Sequence, residues 1–230
     1  MAYTRGTSAN IIVGAAALFT YKSGPIGQTV DGELTDAEAE VDLPALVADT
    51  SYRETLSTTQ NKVNWRNVGY TMNGLEIVFQ PDFGEVQVDQ VLDVAKLYKQ
   101  GMQVNLNTAF AESTLENLLF AVAGPSDDLQ EANETTGRFV GQRVLDMSAG
   151  DIGECPVERG LVAVGPGTGD CAAGDSIERI YVAYRALSIE SVTVSAKRDE
   201  ATMFEVSFRL LPNDDASYGK IVDRTLSNAS

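Results

Sequence analysis

Alternation of apolar and polar side chains in the last third of the chain restricts the fold more than any other feature of the sequence. Successive side chains of a β-strand point to opposite faces of a sheet, so this pattern predicts strands with one buried face. We expect two such strands, within residues 177–197 and 202–211, paired as a hairpin across the charged residues 198–200. The apolar positions are Val192, Val194 and Ala196 in the first strand and Phe204, Val206, Phe208 and Leu210 in the second.

The two ends of the chain are less regular. Residues 10–22 form an apolar run that predicts a strand; the competing interpretation, a signal peptide, lacks a convincing small-residue cleavage site. Pro212 predicts the end of the last alternating strand, because proline cannot donate to a sheet. From Asn213 onward we expect a carboxy-terminal arm.

Further strand signals occupy the first half of the chain. Residues 64–80 read as two β-rich runs split by Asn73 and Gly74, a dipeptide that favours a tight hairpin turn. Residues 81–89 and 102–110 each predict one more strand. Between them, residues 88–98 fit both helical and strand spacing, and the sequence leaves that choice open.

One helix is predicted over residues 113–123. Ser113 and Glu116 have the spacing of a capping box, and Gly124 with Pro125 predicts the end of the helix. An apolar stripe should pack the helix on a sheet. The stripe consists of Leu115, Leu118, Leu119 and Val122.

These elements predict a mainly β, antiparallel fold with one flanking helix. A chain of 230 residues suits a single domain over residues 1–230. Residues 31–62 are predicted as a long acidic loop, and residues 125–176, rich in Gly and Asp, as an exposed insertion.

Charge and residue types exclude several classes of function. The net charge of −16 argues against a protein that grips nucleic acid, since phosphate binding depends on clustered Lys and Arg. The chain has no histidine, which removes the commonest general base and zinc ligand. We therefore expect no catalytic, cofactor-binding or metal-binding residues and no enzyme activity. No apolar run is long enough for a membrane helix, so no membrane association is expected.

The two cysteines, Cys155 and Cys171, do not suggest a reactive thiol. Acidic neighbours such as Glu154 and Asp170 raise rather than lower a thiol pKa. Free thiols in a reducing cytoplasm and a loop-closing bridge formed after release from the cell both remain open.

Three segments resemble one known family in their order along the chain. The runs VGYTMNGL (68–75) and GEVQVDQ (84–90) are similar to an early hairpin, and LNTAFAESTLENL (106–118) is similar to a strand leading into a single packed helix. The runs FEVSFRLLP (204–212) and YGKIVD (218–223) are similar to a closing strand and tail. Together these segments resemble the major tail tube proteins of long-tailed, siphophage-type bacteriophages.

The resemblance implies a fold, an assembly and a location. The fold of that family is an antiparallel β-sandwich or barrel of two sheets with one flanking helix. Subunits of the family form rings of six copies each, and the rings stack into the hollow tail tube through which DNA passes. The implied partners are further copies of the chain, other tail proteins at the tube ends, and the tape measure protein and DNA, which occupy the lumen transiently without specific binding. The implied location is the virion tail, assembled in the bacterial host cytoplasm.

Two other functions compete with this interpretation. A tail terminator, head–tail joining or baseplate hub subunit would form one ring and stop. A secreted carbohydrate-active or carbohydrate-binding β protein would have a cleaved amino terminus.

In a tube, part of the negative charge is expected to face the lumen and to repel the passing DNA backbone. Residues on strands are better candidates than residues in long loops, because alternate strand positions present one face to a channel. The candidate lumen-facing acidic residues are Glu76, Glu85, Asp89 and Glu205.

Overall fold

The computed structural model describes residues 12, 14–21, 65–89, 93–125, 128–132, 142–147, 156–168, 176–194, 198 and 201–226. The predicted acidic loop 31–62 and both cysteines lie outside these residues. The helix, α1, covers Leu115–Ala121. The strands are β1 Ala17–Tyr21, β2 Trp65–Asn67, β3 Thr71–Gln87, β4 Val94–Phe110, β5 Leu129–Ala132, β6 Gln142–Leu145, β7 Arg159–Pro166, β8 Ser176–Ser188, β9 Phe204–Leu211 and β10 Gly219–Leu226.

Eight strands form one antiparallel sheet in the order β2-β1-β7-β8-β9-β4-β3, with β10 added on β8. Strand β8 is the branch point, because one of its edges pairs with β10 along residues 176–183 and then with β9 along residues 185–188. Strands β5 and β6 pair separately. The expected mainly β, antiparallel fold with one helix is confirmed for the described residues. The sheet is not closed, and its division into two sheets is not confirmed.

The core lies on both faces of β7, which explains the unbroken apolar run of that strand. Leu161 and Ala163 point into a large cluster, whereas Val162 and Val164 point into a smaller one, and all four are fully buried. The large cluster also contains three phenylalanines from β4, α1 and β9. They are Phe110, Phe120 and Phe208, with ring centroids 4.8 to 6.3 Å apart.

Helix α1 is shorter than predicted, and its cap is different. Thr114, not Ser113, caps the helix, because the Thr114 hydroxyl accepts a hydrogen bond from the backbone N–H of Asn117 at 3.2 Å. Glu116 pairs with Arg143 instead of closing a capping box. The predicted capping box is therefore wrong, because the N-cap is Thr114 and the residue three positions later is Asn117 instead of a glutamate.

The predicted stripe on the helix is only partly buried. Leu119 is 7% exposed, Leu118 packs against the large cluster, and Leu115 is half-buried. Val122 is wrong as a packing residue, because α1 ends at Ala121 and leaves the Val122 side chain 53% exposed. Phe120 and Ala121 supply buried contacts that the stripe did not include.

The predicted hairpin turn at Asn73 and Gly74 is wrong. Both residues have positive φ, 65° and 73°, but they form a bulge inside the continuous strand β3. The bulge lies between the pairs Met72–Ala109 and Glu76–Asn107, and the Thr108 hydroxyl donates to the Gly74 carbonyl at 2.8 Å. A bulge satisfies the same backbone preference as a turn without reversing the chain.

Long-range pairing resolves one open choice and overturns two further expectations. The open choice at residues 88–98 is resolved from Val94 onward as strand β4. Residues 125–176 are not wholly an exposed insertion, since β7 lies inside them at the centre of the core. The residues after Asn213 are not a free arm, because β10 pairs with β8 over eight residue pairs.

The last predicted hairpin is confirmed only in part. Strand β9 covers Phe204–Leu211 and ends at Pro212 as expected, and it pairs with the preceding strand β8. Strand β8 already ends at Ser188, so Val192 and Val194 lie outside any strand, and Ala196 is outside the described residues.

Candidate assembly surface

Strands β3 and β4 project beyond the rest of the sheet. Strand β9 pairs with β4 only from Val104 to Phe110, so residues 80–87 and 94–103 pair with each other alone among the described residues. We call these two segments the β arm. At about 3.3 Å per residue, the arm extends about 25 Å from the sheet. A two-stranded ribbon has no core of its own, so its exposed side chains are available to another surface.

One face of the β arm carries exposed apolar side chains. By strand alternation, Phe79 at the base and Phe83 in the arm share a face. Phe83 pairs with Lys99 and Glu85 pairs with Leu97, which places Leu97 on that same face. Phe79, Phe83 and Leu97 are 56%, 53% and 59% exposed. This set, Phe79, Phe83 and Leu97, is the arm face.

The opposite side of the β arm is held together by an aromatic residue lying over a glycine. Gly84 pairs with Tyr98, and a Cβ added to Gly84 would lie 2.5 Å from the Tyr98 ring. Gln100 donates from its Nε2 to the Tyr98 hydroxyl at 3.1 Å. A side chain at this position would displace the Tyr98 ring and the Gln100 amide that cover the backbone.

A cleft of about 480 Å³ opens where β10 and the β3–β4 pair diverge. It is bridged on one side by the Tyr218 hydroxyl, which donates to the Met102 carbonyl at 2.5 Å. Phe79 lines the cleft as well as the arm face, so the two apolar surfaces are continuous. Other lining residues include Ile77, Leu106, Tyr181, Leu210 and Ile221.

The outer side of β3, β4 and β9 is polar. Glu76, Asn107 and Ser207 lie side by side on the three strands. Asn107 donates from Nδ2 to Glu76 at 3.3 Å, and the Ser207 hydroxyl donates to Asn107 Oδ1 at 2.8 Å. We call this surface the polar face. Its polar members are Glu76, Gln103, Asn105, Asn107, Glu205, Ser207 and Arg209, and Val78 and Ala109 lie on the same side.

The structure does not bring the four candidate lumen residues together. Glu76 and Glu205 lie on the polar face, in adjacent rows of the sheet. Glu85 lies in the β arm, on the side of Phe83. Asp89 follows the end of β3 at Gln87. Only Glu76 and Glu205 therefore belong to one surface.

Two arginines fasten helix α1 to the sheet. Arg66 donates to Asn117 Oδ1 at 2.5 Å, and Arg159 donates to the Gly124 carbonyl at 3.0 Å. Burial lowers the pKa of both guanidinium groups; for Arg66, the charge of Glu116 opposes this effect and that of Arg159 adds to it. These contacts hold the two ends of the helix and indicate a structural role.

The described residues contain no group of three or more acidic or cysteine side chains placed to hold a metal ion. Within the same ranges, no helix is long and apolar enough to cross a membrane. No protein-family model matches the chain, and no curated protein sequence is significantly similar to it.

Sequence reasoning missed the arm face and the cleft. Phe79 and Phe83 are four residues apart, a spacing that fits both strand and helix, and Leu97 lies in the stretch whose structure stayed open. The signal that was present is the density of aromatic and β-branched residues from 77 to 98, which favours long strands.

Proposed function

We propose that this chain is a structural subunit that assembles with copies of itself into stacked rings, forming the tail tube of a long-tailed bacteriophage. The observation that carries the proposal is the β arm, which extends about 25 Å from the sheet and, with Phe79 at its base, presents large apolar side chains to solvent. Exposed apolar surface of this kind marks a site of protein association. The tail tube itself is proposed because three sequence segments, in their order along the chain, resemble those of major tail tube proteins.

In this proposal the sheet curls so that its two ends form the two layers of a sandwich. The supporting observation is the large cluster, which combines residues of β1 and β7 with residues of β4 and β9. Helix α1 covers one end of that cluster through Phe120 and Ala121.

The runner-up functions remain distinct proposals. A terminator, joining or hub subunit would use the same surfaces to form one ring. The carbohydrate-binding alternative has weaker support, because the large exposed aromatic residues of β3 and β4 accompany aliphatic ones on a narrow ribbon, whereas the polar face carries no aromatic side chain.

Electron microscopy of the purified chain over a range of protein concentrations tests the proposal. We expect hollow tubes of stacked rings. Discrete rings that never extend would favour the single-ring alternative, and a monomer at every concentration would overturn self-assembly.

The polar face gives a prediction about DNA passage. The double variant Glu76→Lys with Glu205→Lys should still form tubes, because both side chains are exposed. If the polar face lines the lumen, the two lysines add contacts to DNA phosphates. Retention of short duplex DNA by the tubes should rise at low salt and fall at high salt, where screening is stronger.

Glu190→Lys is the control, since Glu190 is exposed and lies outside the polar face, the β arm and the residues that line the cleft. Equal DNA retention by the control and the double variant would mean that the polar face does not line the lumen.

A further inference from the structure

We propose that the arm face of one copy docks in the cleft of a second copy. This inference rests on the proposed self-assembly and names the two surfaces that meet. It commits to a heterologous contact, in which the surface that inserts differs from the surface that receives.

The receiving cleft must belong to another molecule. The base of the β arm, at Phe79, already lines its own cleft, and β3 continues from there to Gln87. Phe83 and Leu97 lie further out along the ribbon and are not among the residues that line the cleft of the same chain. Folding them back would break the pairing of β3 with β4.

The two surfaces match in chemistry and size. The lining of the cleft is mainly apolar, and its volume of about 480 Å³ lies in the range of roughly 300–1,000 Å³ typical of sites that bury a ligand. The arm offers one aromatic and one aliphatic side chain, each more than half exposed. Aromatic anchors that fill a pocket dominate the energetics of most protein interfaces.

Charge complementarity favours a second copy as the occupant. Lys99 lies next to Leu97 and Phe83 on the arm face and is exposed. Two exposed carboxylates, Asp214 and Asp215, directly precede Ala216, a residue that lines the cleft. Asp214 also faces Arg185, whereas Asp215 has no ion pair among the described residues. Lys99 of one copy is thus suited to Asp215 of the next.

A contact between two different surfaces repeats from copy to copy. Such a contact closes into a ring or continues as a helix, whereas a two-fold contact stops at a dimer. The arm and cleft therefore supply a contact of the type that a ring of several subunits requires.

Charge reversal tests the pairing. Lys99→Glu and Asp215→Lys alone should each raise the protein concentration for half-maximal assembly by about fivefold, the effect of an exposed ion pair worth about 1 kcal/mol. The double variant Lys99→Glu with Asp215→Lys should return to near the original value, because the reversed charges attract again. Failure of the double variant to recover would overturn this pairing.

Removal of an apolar anchor gives an independent measurement. Leu97→Ser should raise the assembly concentration by about tenfold or more while leaving the melting temperature of the monomer unchanged, since the side chain is largely exposed. Ile189→Ser is the control, because Ile189 is similarly exposed but lies outside the arm and the cleft. An equal effect of both substitutions would overturn the arm as the docking element.

Electron microscopy of the same variants separates this inference from the proposed function. Closed assemblies that depend on Lys99, Asp215 and Leu97 but never form tubes would keep the inference and overturn the tail tube. Tubes that form at the original concentration in every variant would keep the tail tube and overturn the inference.

Discussion

Replacement of Phe208 by alanine should destabilise the folded subunit by about 3 to 5 kcal/mol, a large share of the roughly 5 to 15 kcal/mol that holds a typical domain folded. Phe208 is 1% exposed and stacks on Phe120 with ring centroids 4.8 Å apart. It also lies against Phe110, so its removal leaves a cavity bordered by β4, β9 and α1. The measurement is the urea midpoint of the monomer, with the slope of the transition unchanged.

Phe83→Ala removes the same atoms from a site that is 53% exposed, and it should change the unfolding free energy by less than about 0.5 kcal/mol. The pair of substitutions therefore separates the core from the assembly surface. If Phe83→Ala costs as much as Phe208→Ala, the β arm is packed in the free subunit and is not available for docking.

Local sequence patterns correctly predict strands that have one buried face and one polar face. The alternation from Phe204 to Leu210 identified β9, because one of its faces is buried and the other is not. The same reasoning placed a strand at residues 102–110, which is the inner half of β4. Both strands lie where the sheet has one core face and one polar face.

Local patterns failed where distant pairing decides. Strand β7 has no alternation because both of its faces are covered, and the Gly- and Asp-rich residues around it predict an exposed insertion. Asn73 and Gly74 have the backbone angles of a turn, yet β4 continues alongside them and converts the turn into a bulge. Neither the burial of β7 nor the bulge in β3 can be predicted from the residues within five positions of each feature.

The assembly surface depends on register in the same way. Glu76, Glu85, Asp89 and Glu205 are all acidic residues in or near strands, but only the pairing with β4 shows that Glu76 and Glu205 share the polar face. The cleft is still less predictable from sequence. It forms because β10 and β9 pair with successive parts of the same edge of β8, which leaves a gap between β10 and the β3–β4 pair.

Asn117 is a buried polar residue that the apolar stripe of the helix concealed. It is 0% exposed, and its Nδ2 donates to the carbonyls of Val68 and Glu112, each at 2.8 Å. Its Oδ1 accepts from Arg66. One amide therefore joins α1 to the segment after β2, to the end of β4 and to a partly buried cation.

Asn117→Leu should destabilise the subunit by about 3 kcal/mol or more, even though leucine has a similar volume and suits a helix. The substitution leaves two carbonyls and a guanidinium without this partner, and each buried group left unpaired costs about 1 to 3 kcal/mol. Asn105→Leu on the half-buried polar face, where water can replace the amide of Gln103, should cost about 1 kcal/mol or less.

The contribution of the cation can be isolated by a double-mutant cycle. With Arg66→Met already in place, Asn117→Leu no longer strands a guanidinium, so its cost should fall by about 1 kcal/mol or more. Burial lowers the pKa of Arg66, because the charged guanidinium group is poorly solvated. The group therefore depends on its hydrogen-bond partners in the protein. Equal costs of Asn117→Leu in both backgrounds would show that the two carbonyls alone require the amide, and that Arg66 is satisfied by Thr114 at 3.5 Å or by solvent.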